Sequence, residues 1–172
     1  MEEDLRTRPT PERLMRLLDH HEICELSHRY SRAADQQDYE LLSTIFTPDG
    51  ALCFAQPWSD ESNSRMTTYQ GTQALREMPK PPLRRGLHVV ANIQVAFGMG
   101  GDDAQGVVYF VRITPNAEGG FRVSNAGIYR DRYCRTRAGW AIARRDIDPL
   151  PADGLADDAF AALGPKRQVE RP

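Results

Sequence analysis

Hydrophobic positions repeat at helical intervals in the first third of the chain and alternate in its second half, so helices are expected first and a sheet after them. Ile23, Leu26, Tyr30, Ala33 and Ala34 recur three and four apart and form one apolar stripe. The opposite face carries Glu25, His28, Arg29 and Arg32. Leu14, Leu17 and Leu18 start the same stripe, with Thr10 as N-cap ahead of Pro11-Glu12. Whether the helix runs unbroken through His21 or breaks near Asp19-His20 stays open on pattern alone. Asp38 caps a short second helix with Tyr39, Leu42 and Ile45/Phe46 inward, and Thr47-Pro48-Asp49-Gly50 reads as a turn. A strand at 51–55, a polar loop at 56–64 around Trp58 and a strand at 65–69 follow. Thr72 then caps a helix at 73–78 that prolines 79, 81 and 82 stop.

From residue 86 onward the pattern predicts four strands, 86–97, 104–114, 121–136 and 140–148. Glycine- and proline-bearing turns separate them, so an antiparallel meander is expected. In the first, strict alternation puts Leu87, Val89, Ala91, Ile93, Val95 and Phe97 on one face and His88, Val90, Asn92 and Gln94 on the other. The mixed face has the character of a pocket lining. In the third, Asn125, Gly127, Tyr129, Asp131 and Tyr133 alternate with Ser124, Ala126, Ile128 and Arg130, and parity does not say which set looks inward.

A chain of 172 residues that is 40% hydrophobic buries one core, which implies one domain over 11–150, with a flexible stretch at 1–10 and a mostly flexible tail at 151–172. In that tail Phe160 and Leu163 are the apolar residues that would dock, on a turn or two of helix at 157–163. The formal charge of -2, from 22 basic against 24 acidic residues, offers no general attraction to nucleic acid or anionic lipid. Three scattered cysteines, Cys24, Cys53 and Cys134, fit neither a disulfide framework nor paired zinc ligands and read as reduced thiols. With an acidic, polar start and no apolar run for a signal or span, a cytoplasmic location follows.

The sequence has no phosphate loop, CxxC pair, GxSxG or HExxH, which leaves acid–base work. His21, Glu25 and His28 would share a helix face, but Arg29 and Arg32 share it too. A solvated polar face is the reading there, and no metal is expected. Lys80, Arg84 and Arg85 form a basic run that greets an anionic substrate or is a solvated loop. Asp35, ending the apolar stripe, and His88, opening the longest apolar strand, make the natural pair: a histidine titrates near neutrality, and a carboxylate beside it fixes its tautomer. His88 alone reads equally well as a core histidine satisfied by a hydrogen bond.

Tyr30 with Ala34-Asp35, Phe46 with Asp49-Gly50, Leu87-His88-Val89, and Gly139-Trp140-Ala141-Ile142 followed by arginines together resemble a SnoaL-like domain. That domain belongs to the nuclear transport factor 2-like superfamily, with scytalone dehydratase, bile acid dehydratase and ketosteroid isomerase as relatives. The resemblance spans about residues 11–150. It implies an α+β cone, with helices packed on the concave face of a curved, mostly antiparallel sheet. It also implies that His88, Asp35 and Tyr30 are catalytic, and that Arg145, or Arg144 if parity runs the other way, lines the pocket with Asn92, Tyr109 and Tyr129. The strand at 104–114 lacks the second histidine of scytalone dehydratase, which speaks against a closely scytalone-like substrate. By resemblance the function is that of a cofactor-independent dehydratase acting on a small hydrophobic, cyclic, steroid-like or polyketide-like substrate. An isomerase or cyclase using the same proton transfers, and a non-catalytic ligand-binding or oxygenase small-subunit module with an occluded pocket, are the alternatives. The superfamily also implies a homodimer or homotrimer.

Overall fold

The computed structural model describes residues 10–54, 67–80 and 86–150. Helix α1 spans Pro11–Gln36 without a break. Thr10 caps it by accepting from the Arg13 N–H, and Pro11 occupies the first turn, where its missing N–H costs nothing. The helix stops where Gln37 turns left-handed (φ 53) and its N–H closes back on Ala33 and Ala34. Asp38 then caps α2 (Tyr39–Ser43) by accepting from the Leu41 N–H at 2.9 Å. A third helix, α3, spans Gly71–Arg76.

Six strands form one sheet in the order β2-β1-β6-β5-β4-β3. They are β1 (Phe46–Phe54), β2 (Thr67–Gln70), β3 (Leu87–Phe97), β4 (Asp103–Pro115), β5 (Phe121–Thr136) and β6 (Gly139–Pro149). All neighbours pair antiparallel except β1 with β6, which run parallel. The α1 stripe packs into the sheet through Ile23, Leu26, Tyr30 and Ala33, meeting Val108, Phe110, Tyr129, Tyr133 and Ile142. At its far end Asp19 accepts from the Trp140 indole N–H and the Arg135 guanidinium, tying α1 to β5 and β6. This is the α+β arrangement expected, a curved sheet with helices on one side.

Several local expectations are corrected. Leu14, Leu17 and Leu18 do not enter the core: they stand 46–64% exposed, and burial begins at Ile23. Ser27 and Ser31, which the apolar stripe leaves out, are buried beside it. The 47–50 turn is instead part of β1, which shifts register on β6 between Phe46 and Ala51 and pairs with it again from Ala51 to Phe54. Thr72 caps nothing; its hydroxyl donates to the Pro48 carbonyl across to β1. In β3 the alternation is broken by one extra residue, Asn92, left-handed at φ 51, between the Ala91 and Gln94 pairings. His88 and Val90 therefore share the core side with Ile93, Val95 and Phe97, a set that simple alternation splits. The expected loop at 56–64, Arg65, Arg84 and Arg85, the 1–9 segment and the tail with Phe160 and Leu163 lie outside the described residues. Cys24, Cys53 and Cys134 are free thiols, and among the described residues no helix is long and apolar enough to cross a membrane.

Candidate active site

The last turn of α1 and the first turn of the sheet meet through one carboxylate. Asp35 accepts the backbone N–H of His88 on both oxygens, at 3.1 and 3.0 Å, and faces the His88 Nδ1 at 2.6 Å. Because the backbone bonds anchor the carboxylate to the strand that carries the ring, imidazole and acid are aligned by two separate constraints. Both side chains are only 16% exposed, so the contact is short and partly withdrawn from water. With Asp35 as acceptor, Nδ1 carries the proton and Nε2 is the basic atom. Nε2 has no partner among the described residues.

The pair borders a cleft of about 760 Å³ on the concave side. Leu42, Leu52, Phe54, Met78, Phe110 and Ile147 supply apolar wall, Tyr30, Tyr39, Tyr69 and Tyr129 add phenols, and Gln37, Thr67, Arg112 and Asn125 join Asp35 and His88 as its polar members. On the other side the pair borders a smaller groove of about 520 Å³ between α1 and the edge strand β3. Aromatic packing fixes the cleft floor. Phe110 stacks flat on Tyr129 (4.4 Å, 10°), and Tyr129 meets Tyr30 edge-on at 5.6 Å. The flat stack needs Gly127, where a Cβ would lie 2.7 Å from the Phe110 ring.

Beneath that floor lies a buried ion pair. The Arg145 guanidinium donates to both Asp131 oxygens, Nε at 2.8 Å and Nη2 at 2.6 Å, and to the Ser27 hydroxyl at 3.0 Å. Tyr133 adds a hydroxyl donor to Asp131 at 2.7 Å. The Arg145 guanidinium lies against the rings of both Tyr30 and Tyr129, 4.3 Å from each centroid, so two π-clouds face a cation whose Nη1 has no hydrogen-bond partner among the described residues. Burial opposes the guanidinium's charge, but the Asp131 carboxylate outweighs it and holds the group more firmly protonated than usual. Burial also governs the phenols. It pushes the Tyr30 hydroxyl up to about 12 against the pull of Arg145, and raises Tyr129 well above the ordinary tyrosine value. Both phenols thus remain donors at neutral pH. Neither has a hydrogen-bond partner among the described residues.

Of the residues expected at the site, the fold brings Asp35, His88, Tyr30 and Tyr129 to one cleft. Three others sit elsewhere. Asn92, the bulge residue, is exposed and outside the cleft, because the left-handed turn carries it off the core face. Tyr109 lies between buried Val108 and Phe110 on β4 and so faces away from the core. Arg145 does face inward, with Arg144 turned to Asp146, but the two tyrosines roof it over and keep it off the cleft surface. In β5 the inward set is Gly127, Tyr129, Asp131 and Tyr133, which answers the parity question. The sequence reading passed over Arg112 and did not single out Asn125. Alternation along β4 from Phe110 puts Arg112 on the cleft side, a signal available once Phe110 is taken as core. His28 is turned onto Glu25 at 3.0 Å as an exposed pair, and no group of three His, Cys, Asp or Glu that could hold a metal occurs among the described residues.

A model of the SnoaL-like domain family matches residues 15–146. No curated protein matches the sequence. Among solved structures, an NTF2-like protein with a cystatin-like fold from Novosphingobium aromaticivorans is 26% identical, with a TM-score of 0.72 over 95% of this chain and 99% of that one. Rv3472, a protein of unknown function from Mycobacterium tuberculosis, is 27% identical, with a TM-score of 0.65 over 89% of this chain and 80% of that one. A candidate scytalone dehydratase from Novosphingobium aromaticivorans shares the fold at 17% identity, with a TM-score of 0.60 over 82% of this chain and 97% of that one. With the helical front, the six-stranded sheet and a family match running from the first turns of α1 to β6, the chain belongs to the SnoaL-like domain family.

Proposed function

We propose that the protein is a cofactor-independent lyase, a dehydratase that eliminates water from a small cyclic, steroid-like or polyketide-like substrate in the cleft. The observation that carries this reading is the 2.6 Å contact between Asp35 and His88 Nδ1 at the edge of a largely apolar cavity. An apolar cleft raises the strength of every charge interaction inside it, and a histidine held by a carboxylate is competent to take a proton at neutral pH. An open cavity of this size also speaks against a non-catalytic module whose pocket is filled.

In this mechanism His88 Nε2 removes a proton from the carbon next to a substrate carbonyl. Asp35 stabilises the imidazolium that forms, through the Nδ1 hydrogen bond. Tyr30, still protonated because burial raises its pKa, donates to the carbonyl oxygen as negative charge develops there, with Arg145 behind its ring adding positive potential. The enolate electrons then return to form the carbon–carbon double bond as the neighbouring hydroxyl departs. It leaves as water, carrying the proton that His88 gives back, so protons balance over the cycle.

The test is turnover on a panel of β-hydroxy ketones, followed by absorbance of the conjugated product. His88→Gln is expected to lower kcat by about a hundred- to ten-thousandfold with little change in binding. Asp35→Asn combined with it adds little more, because the two act as a unit. Near-full activity in His88→Gln on the turned-over substrate refutes the assignment. The reading also takes the protein as a homodimer or homotrimer, which light scattering on a sizing column checks.

A further inference from the structure

The cleft runs the full width of the sheet. Its lining draws on all six strands, from His88 on β3 through Phe110, Tyr129, Ile147 and Phe54 to Tyr69 on β2. These residues make a continuous floor. The His88 ring stands 6.4 Å from Phe110, Phe110 stacks on Tyr129, Tyr129 and Phe54 are both Cα partners of Ile147, and Phe54 meets Tyr69 edge-on at 6.1 Å. Neighbouring strands lie about 4.8 Å apart, so the five steps from β3 to β2 cover about 24 Å along the curved surface. A single ring held against His88 and Tyr30 leaves the β1–β2 end of that floor uncovered.

At that far end two phenols stand without strong partners. Tyr39 on α2 has only the Pro79 carbonyl, at 3.5 Å, well beyond the usual length of a hydroxyl hydrogen bond. The Tyr69 hydroxyl has no hydrogen-bond partner among the described residues. Both side chains are partly buried and line the cleft. Burial raises the Tyr39 phenol above its ordinary value and the neighbouring Tyr69 phenol adds to the rise, so Tyr39 stays a protonated donor at neutral pH. Their surroundings are apolar: Leu42 lies one turn from Tyr39, and Leu52 is the Cα partner of Tyr69. The mechanism above uses neither phenol.

We propose that Tyr39 and Tyr69 form a second polar subsite, which reads an uncharged carbonyl or hydroxyl oxygen on the part of the substrate remote from the reacting carbon. The inference rests on the reading of this cleft as the active site and narrows its substrate class to elongated molecules of two or more rings with an oxygen at each end. One end presents its carbonyl to Tyr30 and its acidic carbon to His88, and the other reaches across β6 and β1 to the two phenols. A partly buried donor left unpaired costs more than the hydrogen bond itself returns, so the pair would select against short molecules and against those apolar at the far end. Holding both ends also fixes which carbon lies beside His88 Nε2.

Titration calorimetry on the full-length protein with 4-acetylbiphenyl and with 4-acetyl-4′-hydroxybiphenyl, which differ only in the far oxygen, tests the proposal. Wild type is expected to hold the hydroxylated probe about three- to tenfold more tightly. Tyr39→Phe and Tyr69→Phe each remove one oxygen and keep the ring. Together they should bring the two affinities within about twofold, while that for 4-acetylbiphenyl moves by less than about twofold, a control that the cleft is intact. Should the double variant fail to fold, each single variant carries the test by losing part of the preference. Equal affinities in wild type, no binding of either probe, or a preference that survives both substitutions overturns the subsite; the last result would mean that the hydroxyl is read at the His88 end. Because the readout is binding, it separates from the chemistry: the preference should persist in His88→Gln. A protein with the tyrosine-dependent preference that eliminates nothing would refute the dehydratase and not the subsite, whereas equal affinities in an active dehydratase would do the reverse.

Discussion

Removing Asp131 should be among the most damaging single changes in the molecule, and its size follows from the burial of its partner. Asp131 and Arg145 side chains are both 0% exposed, and the guanidinium is held by two charge-assisted bonds at 2.8 and 2.6 Å. In Asp131→Ala the Arg145 cation keeps only the Ser27 hydroxyl and the faces of Tyr30 and Tyr129, and the Tyr133 hydroxyl loses its acceptor. Breaking a buried pair by deleting one partner costs about 3–5 kcal/mol, because the stranded charge has no water to return to. That is a large share of a net stability of about 5–15 kcal/mol. At about 2–4 °C per kcal/mol for a chain of this size, the melting point should fall by about 6–20 °C. The sign of the coupling is the sharper test. Asp131→Ala with Arg145→Met removes the stranded charge and leaves an apolar side chain of similar reach, so the double variant should be more stable than Asp131→Ala alone. Urea unfolding followed by far-ultraviolet circular dichroism at one fixed protomer concentration measures both. A loss below about 1 kcal/mol in Asp131→Ala, the level of an exposed pair, or a double variant less stable than the single one, would refute the reasoning.

Alkaline stability should report on Tyr30. Its folded-state pKa of about 12 lies above that of an unfolded tyrosine, so its contribution is whole below about pH 10 and is lost as pH rises toward 12. Tyr30→Phe should flatten the decline of unfolding free energy over that window by on the order of 2–3 kcal/mol, and an unchanged slope would contradict the burial argument. At the β3 bulge, Asn92→Val should cost about 1–2 kcal/mol in urea unfolding because a β-branched residue resists the left-handed conformation, whereas Asn92→Gly should be close to neutral. Equal losses in the two variants would mean that the backbone conformation at 92 is not what limits substitution.

Legibility followed the range of the interactions involved. The α1 stripe and the four long strands were visible because helical and two-residue periods are local, and burial of one face enforces them over many residues. The pairing of Asp35 with His88 was anticipated from residue chemistry and family resemblance, and their meeting across 53 positions depends on how α1 ends against β3. What failed depended on single irregularities. One left-handed residue at Asn92 reverses the face assignments of half a strand, and no hydrophobic count announces it. The misplaced Leu14, Leu17 and Leu18 show the opposite limit: a helix can continue its apolar period past the edge of the sheet it packs on. Whether Arg145 or Arg144 turns inward is open on parity, and whether the inward Arg145 touches the cavity or supports it turns on the two rings that cover it.

The parallel pairing of β1 with β6 has a consequence for how the protein comes into being. Phe46 finds its partner in Ile142, and the helix that opens the chain is pinned through Asp19 to Trp140, 121 residues away. During synthesis the N-terminal helices and β1 therefore emerge with the strand that completes them still unmade, and at about 5–20 residues per second they wait several seconds or longer for it. For that interval β1 has only β2 beside it, with Leu52 and Cys53, buried in the finished fold, short of their final neighbours. Chain closure late in translation, rather than stepwise growth from the N-terminus, is the order this topology imposes, and nascent chains that stop before residue 139 would be clients for chaperones.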